Sequence, residues 1–133
     1  MQLITELALF EKAPEELITS KQTLIKYGFS VNPLFFSWVA EYEGVVVGTA
    51  ICYIRYSTWK GPVLYLEDLV VTKSMRRKGV GKRLFDACLE YARLHHYCRI
   101  AWQVLDWNTS AIQFYEKYNA EFSGEWVNGY IDL

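Results

Sequence analysis

The stretch from Val63 to His95 constrains this chain more than any other. An apolar run, Val63 to Val71, leads into Arg76-Arg77-Lys78-Gly79-Val80-Gly81, and an amphipathic run follows from Val80 to about His95. Strand, glycine turn and helix in that order leave backbone N–H groups free at the helix N-terminus. With the positive end of the helix dipole, those groups form an anion site. Gly79 and Gly81 allow a bulky pyrophosphate to come close to the backbone. Lys73, Arg76, Arg77, Lys78, Lys82 and Arg83 surround them, so six of the 14 Lys and Arg residues crowd one short segment. The local expectation is a pyrophosphate-bearing cofactor held by backbone amides and a basic rim.

The glycine spacing narrows that cofactor. A dinucleotide fold wants Gly-x-Gly-x-x-Gly after its first strand, with an acidic residue about 20 positions later. A Walker loop wants Gly-x-x-x-x-Gly-Lys-Ser/Thr. Neither is present. The chain has Arg-x-x-Gly-x-Gly in mid-sequence, after a strand that carries Glu67 and Asp68.

With 133 residues and 52% hydrophobic content, one small domain over 1–133 with a single core is expected. The net charge of −1 argues against steering toward nucleic acid or an anionic membrane. Cys52, Cys88 and Cys98 form no Cys-x-x-Cys pair, so neither a disulfide framework nor a zinc site is expected. That pattern fits a reducing cytoplasm. No signal-peptide pattern and no apolar run near the ~20 residues of a membrane span are visible.

Periodicity predicts a helix from Met1 to about Phe10. Thr19-Ser20-Lys21-Gln22 reads as a capping box, with Thr19 as N-cap, for a helix that reaches Tyr27 and stops at Gly28. Phe36 to Tyr42 and Val45 to Tyr56 form a hairpin about Glu43-Gly44. Gly61-Pro62 breaks the chain before the strand Val63 to Val71. The helix from Val80 carries an apolar stripe at Val80, Leu84, Cys88 and Tyr91, with His95 and His96 as structural residues at its end. Arg99 to Leu105 is a further strand, and Asn108 or Thr109 caps a helix that runs to about Tyr118, with Asn119 as left-handed C-cap. Glu121 to Trp126 and Gly129 to Leu133 read as closing strands. The order describes a mixed α/β layer fold around one sheet.

Two groups could carry chemistry. Glu67 and Asp68 stand inside an apolar strand, where an unpaired charge is costly. Strict alternation would send them to opposite faces, so both reach one site only if a bulge or splay interrupts the strand. Asn108 is explained by a helix cap alone, and Tyr115 by a half-buried aromatic, unless each also meets a cofactor. Trp59, in a glycine-flanked loop, could wall an ammonium group or simply pack. Trp38, Trp102 and Trp126 read as core or subunit-contact residues.

Arg76-x-x-Gly79-x-Gly81 resembles the acyl-CoA signature of the GNAT N-acetyltransferase superfamily, and Asn108-x-x-Ala111-x-x-x-Tyr115 is similar to its second signature. Glu6-Leu7-Ala8-x-Phe10-Glu11, Gly28-Phe29, Asn32-Pro33 and Leu64-Tyr65-Leu66-Glu67-Asp68 look like the spermidine/spermine acetyltransferase family. Tyr56-Ser57-Thr58-Trp59-Lys60-Gly61 and Val104-Leu105-Asp106-Trp107-Asn108 look most like its thialysine N-epsilon-acetyltransferase branch. The resemblance implies a GNAT fold: a central, mostly antiparallel mixed sheet flanked by helices, here without the family's first edge strand. It implies acetyl-CoA as cosubstrate, no metal, and a homodimer. Leu69, Val70, Val71, Arg76, Arg77, Lys78, Gly79, Val80, Gly81, Lys82, Asn108 and Tyr115 would hold the cosubstrate. Tyr115 would protonate the departing thiolate, Glu67 would act as base, and Asp68, Glu67 and Trp59 would bind a small cationic amine. A protein acetyltransferase and a CoA-binding module without turnover remain the alternatives. The family also has a longer insert between Val39-Ala40-Glu41 and Val46-Val47-Gly48, and the short hairpin here is expected to open one side of the substrate cleft.

Overall fold

A computed structural model describes residues 1–132. The chain divides into two compact units, Met1–Gln103 and the remainder from Val104.

The first unit runs α1 (Gln2–Phe10), a 3-10 turn (Pro14–Glu16), α2 (Lys21–Gly28), β1 (Phe36–Tyr42), β2 (Val45–Ser57), β3 (Gly61–Val71), a 3-10 turn (Lys73–Met75), α3 (Val80–Leu94) and β4 (Arg99–Ala101). The four strands form one sheet in the order β1-β2-β3-β4. β1/β2 and β2/β3 are antiparallel and β3/β4 is parallel, which is the mixed, mostly antiparallel sheet expected. Among the described residues no strand precedes α1. Glu43 and Gly44 both have positive φ (50° and 76°), the two-residue turn whose twist suits a hairpin.

One face of the sheet meets α3. Cys52 lies opposite Leu66 and Ala50 opposite Leu69 in the β2/β3 ladder. Ala50, Cys52, Leu64 and Leu66 of the sheet and Leu84, Phe85, Cys88 and Ala92 of α3 are all buried. This adds Phe85 and Ala92 to the expected stripe. At the C-terminal end of α3, Tyr91 packs against Phe36 (5.1 Å) and Trp38 (5.3 Å) and stacks on His95 (3.9 Å). Near its N-terminal end, Gly48 admits the helix: a Cβ there would lie 3.1 Å from Leu84 Cδ1 and 3.3 Å from Val80 Cγ1. Helix α1 packs on β2 and β3.

Several expectations need correction. The N-cap of α2 is Ser20, not Thr19: Ser20 is extended (φ −114°, ψ 164°) and its Oγ accepts the Thr23 N–H at 3.1 Å. Gly61-Pro62 does not lie outside β3 but opens it, pairing with Ser57 and Tyr56 across a turn closed by Gly61 at φ 85°. β4 stops at Ala101 instead of reaching Leu105, and its parallel ladder spans only Val63–Tyr65 of β3. That ladder ends just before the irregularity at Glu67, where the regular backbone spacing a partner needs is lost.

In the second unit, α4 (Thr109–Glu116) starts at Asn108, whose Oδ1 accepts the Ala111 N–H at 3.2 Å. Asn119 is left-handed (φ 56°), a few residues beyond the helix end. The expected closing strands, 121–126 and 129–133, do not form among the described residues, and Leu133 lies outside them. Apolar, β-favouring composition is insufficient for a strand without a partner edge to complete its ladder. Trp126, read as core or contact, is 82% exposed.

Candidate active site

The site begins with a bulge. In the β2/β3 ladder, Cys52 pairs with Leu66 and Ile51 with Asp68, which leaves Glu67 as one extra residue on β3. Leu66 faces α3, so Glu67 turns to the opposite face. The bulge then resets the alternation, and Asp68, paired with Ile51, falls on that same face. Two consecutive carboxylates thus reach one cavity of about 520 Å³. Ile4, Leu24, Leu34, Phe35 and Ile51 supply apolar walls, and Thr19, Tyr53, Glu67 and Asp68 supply polar groups.

Burial pushes the Asp68 carboxyl up to about 6, and the neighbouring charges of Glu67 and Glu11 add to the rise. Glu11, on the segment after α1, is raised by burial as well. The Tyr53 phenol is raised by burial and then by Glu67, and Tyr65 likewise, with Arg55 opposing both. The Tyr53 and Tyr65 rings sit 5.1 Å apart, and the Arg55 guanidinium lies over Tyr65 at 5.0 Å. A negative, partly desolvated pocket with apolar walls is suited to a small organic cation.

The second part of the site lies at the other edge of β3. Leu66 to Val71, including Leu69 and Val70, run on past the last residue paired with β4. Past Val71, Gly79 caps α3 in the left-handed region (φ 81°) without any side-chain cap. The Arg83 N–H donates to the Gly79 carbonyl at 3.1 Å, so the N–H groups of Val80, Gly81 and Lys82 precede the helix ladder. A Cβ at Gly79 would meet nothing within 4 Å, and one at Gly81 only Val71 Cγ2 at 3.7 Å. Open space over uncapped amides fits a pyrophosphate. Of the basic rim, Arg77 and Lys78 are exposed. Arg76 donates from Nε to the Val71 carbonyl at 2.9 Å and lies over the Phe10 ring, which pins the loop to the end of β3. Lys82 pairs with Asp86 at 2.6 Å.

Trp59 is on the β2–β3 turn, 89% exposed, and does not line the cavity. Tyr115 and Asn108 belong to the second unit. There Tyr115 is 7% exposed on α4 and Asn108 performs the cap. Sequence reasoning gave no role to Glu11, Tyr53 or Arg55. Glu11 stood in a quoted motif, and Tyr53 and Arg55 differ by two on one strand, but only the register shows what they face. Among the described residues no cluster of three metal-ligating side chains exists, and no helix is long and apolar enough to cross a membrane.

The first unit thus combines a mixed sheet, a helix capped by a left-handed glycine and a cavity lined by two carboxylates. The chain belongs to the acetyltransferase (GNAT) family, whose model matches residues 2–120, and it is an acetyltransferase. It is 35% identical over 129 residues to thialysine N-epsilon-acetyltransferase of Mus musculus, covering 91% of this chain and 76% of that protein. It is 31% identical over 127 residues to spermidine/spermine N(1)-acetyltransferase-like protein 1 of Homo sapiens, covering 90% of this chain and 18% of that protein. Among solved structures, an aminoglycoside acetyltransferase from an uncultured soil metagenomic sample superposes with a TM-score of 0.79 at 23% identity, over 99% of this chain and 86% of that one.

Proposed function

We propose that this chain, as one domain over 1–133, moves an acetyl group from acetyl-CoA to a small amine that carries a second positive charge. The acceptor is thialysine- or lysine-like, or a di- or polyamine. The observation that carries this reading is the shared cavity of Glu67 and Asp68. The names of the relatives support the amine class, and the uncapped amides of α3 support the donor.

An amine of pKa about 10.4 is almost wholly protonated at neutral pH and must lose a proton before it can attack. In this reading Glu67 accepts that proton, directly or through water, and Asp68 holds a cationic group of the acceptor. Acetyl-CoA, when bound, supplies the activated acetyl thioester. Val80, Gly81 and Lys82 hold its pyrophosphate by backbone N–H groups, with Arg76, Arg77, Lys78 and Gly79 around them. Leu69, Val70, Val71 and Asn108 hold the rest of it. A backbone N–H near Leu69 stabilises charge on the acetyl oxygen. Tyr115 returns a proton to the leaving thiolate, whose parent thiol has a pKa of roughly 8.5. Attack is direct, and none of the free cysteines takes part.

The reading includes a cytoplasmic homodimer, supported by three unpaired cysteines and by exposed Phe122, Trp126 and Tyr130. Thiol release from acetyl-CoA across thialysine, lysine, diamines, spermidine, glucosamine and a peptide tests it. Cationic small amines should lead in kcat/KM. A lead for glucosamine or the peptide would remove the acceptor assignment.

A further inference from the structure

Helix α1 reaches both halves of the site, through different sides. Gln2, Glu6 and Phe10 recur at four-residue spacing and share one side of it. Ile4, Ala8 and Glu11 share another, and the buried Leu3 falls between the two. The first side meets the segment 72–82 that leads from β3 into α3. The Thr72 hydroxyl donates to Glu6 Oε1 at 3.1 Å, in a part-buried bond, and Gln2 Nε2 donates to the same oxygen at 3.5 Å. One turn further on, the Phe10 ring lies 5.2 Å from the Arg76 guanidinium. Thr72 is itself fixed: its N–H donates to the Val47 carbonyl and its carbonyl accepts the Met75 N–H, both at 2.9 Å. The second side supplies Ile4 to the wall of the acidic cavity. Glu11, which closes the helix, is one of the charges that raise Asp68.

We propose that Glu6 is a positioning residue for the acetyl transfer: by holding Thr72 it locks α1 to segment 72–82, so that CoA bound over that segment also steadies the α1 wall of the acceptor cavity. This rests on the donor and acceptor sites proposed above and adds the element that joins them. Glu6 touches neither substrate and acts through the helix that carries it. That helix depends on such ties. Nine residues are too few for a stable helix in isolation. No side chain caps its N-terminus, and neither its first turn nor its last carries a charge that favours the dipole. Its place is therefore set by what it packs on and bonds to, and Thr72 and Arg76 both belong to the segment that receives the donor. Arg76 is held there by its Nε bond to the Val71 carbonyl at 2.9 Å. Whatever orders segment 72–82 is thus felt by α1. The linkage is mutual, so an acceptor that orders α1 tightens CoA by the same factor.

Amide hydrogen exchange of α1, with and without saturating CoA, reads the tie directly in wild type, Thr72→Val, Glu6→Ala and Glu6→Gln. CoA should slow α1 exchange in wild type by about 2–10-fold, the range of one hydrogen bond. Thr72→Val keeps the shape of the side chain and removes the donor, and Glu6→Ala removes the acceptor. Both should lose the response to CoA, and the double variant should be no worse than either single one. Glu6→Gln keeps an oxygen for Thr72 and should respond like wild type. In steady-state kinetics the KM for thialysine should rise about 2–10-fold in Thr72→Val, with kcat within twofold of wild type. Exchange of α1 that ignores CoA in wild type overturns the proposal. So does an equal response in wild type and Thr72→Val, or a fall in kcat with the thialysine KM unchanged, which would mark the bond as part of the general packing. Absence of turnover with any amine in wild type would sink the acetylation reading instead, and the exchange comparison with CoA would then decide alone.

Discussion

Glu67 and Asp68 are consecutive in the chain and lie on the same face of the sheet, because Glu67 is the unpaired residue of a bulge between the pairs Cys52–Leu66 and Ile51–Asp68. Regular alternation would have buried one of them against α3, where Leu64, Leu66 and Cys52 are packed. The bulge avoids that cost and concentrates negative charge in one cavity.

The buried carboxyl of Asp68 lowers stability at neutral pH. Its folded pKa, about 6, is above the ordinary 3.8, with burial as the main cause. Folding therefore favours the protonated form. The stability linked to this group is fully present below about 3.8 and is lost as pH rises through 6. Asp68→Asn should be more stable than wild type at pH 7.5, by up to about 3 kcal/mol for a rise of roughly two pKa units. That advantage should fade between about pH 6 and 4, which melting temperatures across pH will show. The same variant should bind cationic acceptors more weakly. The wild-type rise in amine KM on acidification through about 6 should be missing from it.

Tyr115→Phe removes one hydroxyl and keeps a ring at a buried position. If the phenol protonates the leaving thiolate, kcat and kcat/KM should fall together by about 10²–10⁴-fold, with acetyl-CoA binding nearly unchanged. Steady-state kinetics and calorimetry separate the two effects. Wild-type kcat at saturation would assign Tyr115 to packing alone.

Gly81→Val tests the cofactor cradle. A Cβ at Gly81 makes only an ordinary 3.7 Å contact with Val71, so the variant should fold. Its side chain would stand over the α3 amides and raise the acetyl-CoA Kd by at least tenfold, the loss of about one charge-assisted hydrogen bond. Unchanged affinity in a folded variant would place the pyrophosphate elsewhere.

Gly48→Ala tests the packing of α3 on the sheet. The new methyl would lie 3.1 Å from both the Val70 carbonyl oxygen and Leu84 Cδ1, so helix and strand must separate slightly. Overpacking of this kind costs about 1–3 kcal/mol. Differential scanning calorimetry should show a lower melting temperature with the acceptor preference retained.

Local chemistry was legible in the residues. Phe36 to Tyr42, the Glu43-Gly44 turn, the helix from Val80 and the Asn108 cap all form where periodicity, turn residues and capping place them. Each depends on interactions a few residues long. The motif Arg76-x-x-Gly79-x-Gly81 likewise announced the family. The sequence also required a bulge if Glu67 and Asp68 were to share a site, but its position depends on register with β2, set by contacts between distant residues. Ser20 displaced Thr19 as cap by adopting the extended backbone a cap needs, a choice between adjacent hydroxyls that composition leaves open. β4 ended at Ala101 and residues 121–132 form no strand, because a strand exists only where a partner edge is available to it. The raised pKa of Asp68 and the nearness of Arg55, Tyr65 and Glu67 are tertiary in the same sense: desolvation and charge proximity arise only when separate strands and helices close around one cavity.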